Sequence, residues 1–180
     1  IMDMRIFCHE YTHAMIEKLV GVGIRSNFKW LDEGLAEYEG NTCHSQWYPD
    51  AARWYWYQRR GIVLDTYVKG QLFNLNEITT EREWSNRIQE GGPEFDLEYA
   101  QAFFAVKRLI DTRGFSPIIS FLDAGFSTKY FDREFKRAFG LSTAEFEIQL
   151  LQYIDEQSKL SPPEFSIKIH LAETGLSSST

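Results

Sequence analysis

"FCHEYTHAMIEKL", residues 7–19, brings two of the chain's four histidines within five positions and sets a glutamate directly after the first. The stretch reads as part of a helix over residues 3–20, ended by Gly21-Val22-Gly23. At 100° per residue His9 and His13 fall about 40° apart, on one side with Met2, Ile6, Ile16 and Val20. Met4, Cys8, Met15 and Leu19 take most of the far side. A helix apolar nearly all round is expected to be buried. Imidazoles inside a buried helix need partners. Two of them four residues apart can each send a nitrogen to one tetrahedral zinc ion.

Glu10 lies about 60° from His13 on the wheel, beside such a metal but off its ligand set. There it can take a proton from a metal-activated water and later return it to a leaving amine. A catalytic zinc also wants a third protein ligand and an open position. "WLDEGLAEYEG", residues 30–40, offers that ligand in Glu33, twenty residues after His13. Gly34 removes a side chain that would hold the two helices apart, and Glu37, one turn on, can accept the outer N–H of a ligand histidine. The plainer reading of Glu33 and Glu37 is a solvated acidic face, which the histidine pair at this separation argues against.

Outward from these motifs the chain reads as helices. The second begins near Leu31 or Asp32 and runs to about Glu39, where Gly40 stops it. "NTCHSQWYPD" is a loop and "AARWYWYQRRG" a further helix, while residues 62–90 are mixed. "GGP" at 91–93 breaks the chain before a strong helix from about Asp96 to Arg113, stopped by Gly114. Shorter helices follow at about 116–124, 131–139 and 142–157, the last opened by the capping box Ser142-Thr143-Ala144-Glu145. After Pro162-Pro163 the period turns to two in "FSIKIHL", a strand near 165–171. Residues 1–160 thus form one domain and 161–180 an extension or the start of a further segment.

His-Glu-x-x-His followed by Trp-Leu-x-Glu-Gly-x-Ala resembles the gluzincin metallopeptidases, and within them most of all the bacterial peptidase MA-like domain. The likeness continues weakly through "EYAQAFFAVKRLIDTRGFSPIISFLDAG" and "FKRAFGLSTAEFE", covering roughly residues 3–157. It implies a mainly α, zincin-like catalytic subdomain and one Zn2+ per chain, held by His9, His13 and Glu33. Glu10 would be general base and acid in peptide-bond hydrolysis, with a peptide or protein as substrate. It also suggests Tyr99 as donor to the oxyanion of the tetrahedral intermediate; a core tyrosine on a buried helix is the other reading. One departure stands out. Gluzincins place a β-sheet subdomain before the His-Glu-x-x-His helix, and here only eight residues precede His9. The sheet is absent or truncated, supplied by another chain, or replaced by something within residues 62–90.

Composition narrows the alternatives. A net charge of −7 with no basic run argues against nucleic acid. No apolar stretch approaches the roughly 20 residues that span a bilayer. The opening "IMDMRIF" reads as already helical, which suggests a piece of a longer polypeptide; any targeting segment would lie upstream, and the compartment is open with a slight lean to extracytoplasmic. Aromatics at 16% suit a large aromatic core or, less simply, an aromatic cleft wall. Cys8 and Cys43 are too few for a disulfide framework. Their pairing is open, and an inert buried thiol is a better reading of Cys8 than a thiolate ligand. His44 and His170 lack a partner at ligand spacing and read as surface or structural. Two further functions compete with the peptidase. One is a peptide-binding module that keeps the zinc fold without turnover, against which the presence of Glu10 argues. The other is a helical interaction domain without metal.

Overall fold

The computed structural model describes residues 4–21, 23–87, 93–124 and 130–160. Among them are eight α-helices and no strand, so the chain is mainly helical. The helices are α1 (Met4–Val20), α2 (Lys29–Ser45), α3 (Pro49–Val68), α4 (Glu81–Arg87), α5 (Pro93–Arg113), α6 (Ser116–Leu122), α7 (Phe131–Phe139) and α8 (Thr143–Ser158). Two 3-10 turns, Ile24–Asn27 and Leu75–Ile78, fill connections. The strand expected near 165–171 and the segment 161–180 lie outside the described residues, as do His170, Gly91 and Gly92. No helix among the described residues is long and apolar enough to cross a membrane.

α2 is the axis of the fold, packing against α1, α3 and α5. Trp30, Leu31, Leu35 and Ala36 are all buried, and so are Asp32, Glu33 and Glu37 of the same helix. Contacts between α1 and α2 pair His13 with Glu33, His9 with Glu37 and Arg5 with Gly40, so the two run antiparallel. The close approach falls to a different glycine from the one the sequence suggested. A Cβ on Gly34 would meet the Ala102 carbonyl oxygen at 2.3 Å and Val106 Cγ2 at 2.7 Å, so Gly34 admits α5. Gly40 admits α1, since its Cβ would meet the Arg5 carbonyl oxygen at 2.9 Å and His9 Cβ at 3.4 Å. Nor does Gly40 end the helix, which continues to Ser45. A helical glycine costs about 1 kcal/mol against alanine, and packing of a whole helix face outweighs it.

Beyond α2 the aromatic residues close the core. The Trp30 ring stacks on Phe146 of α8 with centroids 6.1 Å apart, and meets Phe131 and Phe135 of α7. Phe121 of α6 joins the same group, packing on Phe28 and Phe135. Each such ring, fully buried, contributes about 1.5–3 kcal/mol, enough to hold the short C-terminal helices onto α2. The capping box opening α8 forms as expected: Glu145 N–H donates to Ser142 Oγ at 3.2 Å, and Ser142 N–H to Glu145 Oε2 at 2.7 Å. The far end of α8 is held by buried Arg60 of α3, whose guanidinium donates to the carbonyls of Gln157 and Leu160. Residues 62–87, hard to read from sequence, hold the end of α3, a 3-10 turn and α4, and no strand.

Two expectations for α1 need correction. The helix is not buried all round, because its main contact is with α2 alone. His13 and Ile16 are its buried residues, while Ile6, Phe7, Tyr11, Met15 and Leu19 are exposed. Cys8 is neither a free thiol nor a thiolate ligand. It forms a disulfide with Cys43 near the end of α2, across a Cα–Cα distance of 6.4 Å.

Candidate metal centre

The antiparallel α1–α2 pair brings the three expected ligands to one point. His9 Nε2 and His13 Nε2 lie 3.2 Å apart, and Glu33 Oε2 is 3.2 Å from the second and 3.6 Å from the first. A zinc ion with bonds of about 2.0–2.2 Å sets tetrahedral ligand atoms about 3.3–3.6 Å apart. The three atoms therefore already form one face of such a tetrahedron. Among the described residues they are also the group of histidine and carboxylate atoms near enough to share an ion.

The outer nitrogens fix which lone pairs face inward. His13 Nδ1 is 3.0 Å from Asp32 Oδ1, and Asp32 accepts a further hydrogen bond from Arg25 Nε at 3.1 Å. His9 Nδ1 lies 3.3 Å from Glu37 Oε1, an ion-pair contact. A carboxylate facing Nδ1 keeps a proton there and leaves the Nε2 lone pair for the centre. Lys29 acts likewise on the third ligand. Its ammonium sits 2.7 Å from Glu33 Oε1, which leaves the buried Oε2 turned to the imidazoles. Two lone pairs and a carboxylate oxygen at these separations repel one another unless a cation sits among them. Zinc fits that requirement, and without it a proton must serve.

The titration behaviour shows the same demand. Burial pulls the His9 pKa down, but hydrogen bonds and charge from Glu33 and Glu37 outweigh it and raise it to about 9. His13 is raised against burial by Asp32 and Glu33. Burial pushes Glu33 up, yet His13, His9 and Lys29 hold its carboxyl well below the usual carboxylate range. Ionised groups this deep persist only when paired, and each carboxylate here is matched: Asp32 by Arg25, Glu33 by Lys29, Glu37 by Arg5 and Arg59.

An open pocket of about 220 Å³ adjoins the centre, lined by Arg5, Ile6, His9, Glu10, Glu37, Arg59 and Tyr99. Glu10 is exposed into it and stands outside the ligand group. Tyr99, on α5, is half-buried, with its ring edge-on to Trp84 at 5.3 Å. Burial first, then the charges of Glu33 and Glu37, raise its pKa, so its hydroxyl stays a donor. Among the described residues, Tyr99 is the one phenylalanine, tyrosine or tryptophan in this lining, so the pocket has no aromatic wall. His44 packs its ring on Tyr48, 5.2 Å away, and belongs to no ligand group.

The sequence pointed to His9, Glu10, His13, Glu33 and Glu37 and missed what backs them. Asp32 carried a legible signal, a carboxylate inside the apolar run "WLDEGLA". Lys29 sits at i, i+4 spacing to Glu33, also legible. Tyr55 and Arg59, which reach Glu37 from α3, carried none. Comparison with family models, curated proteins and solved structures yields no match.

Proposed function

We propose that the chain is a zinc-dependent peptidase of the gluzincin type, related to the peptidase MA-like domain. The observation that carries this reading is the triangle of His9 Nε2, His13 Nε2 and Glu33 Oε2, with separations of 3.2, 3.2 and 3.6 Å, beside a pocket that also exposes Glu10. When bound, zinc supplies Lewis-acid activation of water and of the scissile carbonyl.

The chain's own residues do the rest. Glu10 takes the proton of the attacking water and returns it to the departing amine, a role open to it because it is not a ligand. The Tyr99 hydroxyl donates to the oxygen on which negative charge develops. Asp32 holds His13 by a hydrogen bond at Nδ1, Glu37 holds His9 by an ion-pair contact at Nδ1, and Lys29 keeps Glu33 to a single inward oxygen.

The test is a diverse peptide mixture incubated with zinc-loaded protein and read by mass spectrometry, beside Glu10→Gln. Wild type is expected to cleave and to hold one zinc per chain. The Glu10→Gln protein is expected to keep its zinc and fold and to lose about 10²–10⁴-fold in turnover. Loss of metal in that variant would make Glu10 a ligand, and retained turnover would remove it as the base. Zinc bound without any cleavage by wild type would favour a peptide-binding module instead.

A further inference from the structure

α3 carries no residue of either motif, yet it reaches the centre through Tyr55 and Arg59, one turn apart. The proton directions at Tyr55 follow from chemistry. A guanidinium can only donate, so the Tyr55 oxygen accepts from Arg59 Nε at 2.7 Å and from Arg5 Nη1 at 3.3 Å. Its single proton is then committed to its remaining partner, Glu37 Oε2. With Oε2 occupied, Glu37 faces His9 Nδ1 with Oε1, at 3.3 Å. Arg59 thus donates to Tyr55 and Tyr55 to Glu37 Oε2, while Glu37 Oε1 makes an ion-pair contact with His9 Nδ1, and the carboxylate between them is almost fully buried. A carboxylate pinned at both oxygens has one orientation, and so does the imidazole it faces.

Tyr55 is itself held. The guanidinium carbons of Arg5 and Arg59 lie 4.6 and 4.8 Å from its ring centroid, and the ring packs on Phe103 of α5 at 6.1 Å. Such cation–ring contacts add directional attraction where the ring is partly desolvated. Among the described residues the other ligand histidine has no such third helix behind it: His13 relies on Asp32 and Arg25, in the helix and connector next to it in sequence. The asymmetry makes His9 the ligand whose orientation depends on the tertiary packing of α3.

We infer that Tyr55 and Arg59 are positioning residues for His9, through which α3 sets the affinity of the centre for its metal. The inference rests on the zinc reading above. The experiment measures zinc affinity by competition with a chromophoric chelator for wild type, Tyr55→Phe, Glu37→Gln and the double variant, with melting curves of each metal-free protein. Outer partners of metal ligands typically contribute 10–100-fold in affinity, and Tyr55→Phe is expected to weaken zinc by about tenfold. In the Glu37→Gln background the same change is expected to have no further effect, because its route to His9 is already cut. Nitrogen NMR of the zinc-loaded Tyr55→Phe protein is expected to show a weakened Nδ1–H signature for His9, with that of His13 unchanged.

A merely structural hydroxyl would lower the melting temperature of the metal-free protein and leave the affinity of the folded protein alone; that result overturns the inference. So does an affinity loss that adds fully to that of Glu37→Gln. Should Tyr55→Phe fail to fold, Arg59→Gln takes its place in the cycle, since it removes the donor that fixes the direction of the hydroxyl together with the direct ion pair to Glu37. Failure of wild type to take up zinc would instead overturn the metal reading itself, together with this one.

Discussion

Tyr99 lines the pocket with His9 and Glu10 and also packs its ring on Trp84, so the proposed catalytic role has to be separated from a packing role. Tyr99→Phe removes the hydroxyl and keeps the ring. As oxyanion donor it predicts a loss of about 10²–10³ in turnover with zinc affinity unchanged. Near-normal turnover would leave Tyr99 a core residue. His9 makes a second prediction at this scale. Its pKa in the folded, metal-free protein is about 9, against 6.5 unperturbed. The folded state thus favours the protonated ring, a contribution complete below pH 6.5 and lost as pH rises through about 9. Glu33 acts in the opposite sense, with stability present above 4.5 and lost as pH falls below the usual carboxylate range. Metal-free protein should therefore melt at progressively lower temperature between pH 6.5 and 9. With zinc in place of that proton the decline should vanish. Parallel curves with and without zinc would mean that the metal does not displace the His9 proton.

At the scale of the helices, glycine decides how closely they pack, and three alanine substitutions separate the cases. At Gly34 a Cβ meets the α5 backbone, which cannot move aside, and Gly34→Ala should cost roughly 1–3 kcal/mol or more. At Gly40 a Cβ meets the Arg5 carbonyl and displaces α1, the helix that carries both histidines. Gly40→Ala is thus expected to weaken zinc binding beyond its effect on stability, as Gly34→Ala is not. Gly61, within α3, has nothing within 4 Å of its Cβ position. Gly61→Ala should stabilise by about 0.4–1 kcal/mol through the unfolded chain. Melting curves and chelator competition on the three variants check the set. Equal zinc affinity in all three would mean that Gly40 does not set the ligand geometry.

Across the whole molecule, the Cys8–Cys43 bridge ties the first helix to the far end of the second over 35 residues of chain. Closing a loop of that length removes about 3–4 kcal/mol of unfolded-state entropy. Cys8→Ala with Cys43→Ala should then lower the melting temperature by about 10 °C, while zinc stoichiometry is expected to persist because the ligand side chains are held by Asp32 and Glu37 and by the cations that pair with the α2 carboxylates. An unchanged melting temperature would mean that the bridge does not form in solution. A structural bridge of this kind persists in oxidising surroundings.

By itself the sequence determined most of the helices and the candidate ligand set. The i, i+4 histidines, the adjacent Glu10 and the downstream Glu33 are legible because helical periodicity fixes which side chains share a face. Helix ends were legible where they rest on local chemistry: Ser142 with Glu145 caps α8, and Gly114 adopts φ 78° directly after Arg113. Gly40 misled for the complementary reason, since a glycine that ends a helix and one that lets a neighbour approach are the same letter. The exposed face of α1 and the pairing of Cys8 with Cys43 were equally beyond local patterning. The tertiary structure alone decided which carboxylate backs which histidine, and that Tyr55 and Arg59 close the set from α3. Contacts between residues far apart in sequence leave no period to read. They arise when helices pack, because a buried charge must find its partner on whichever helix comes near.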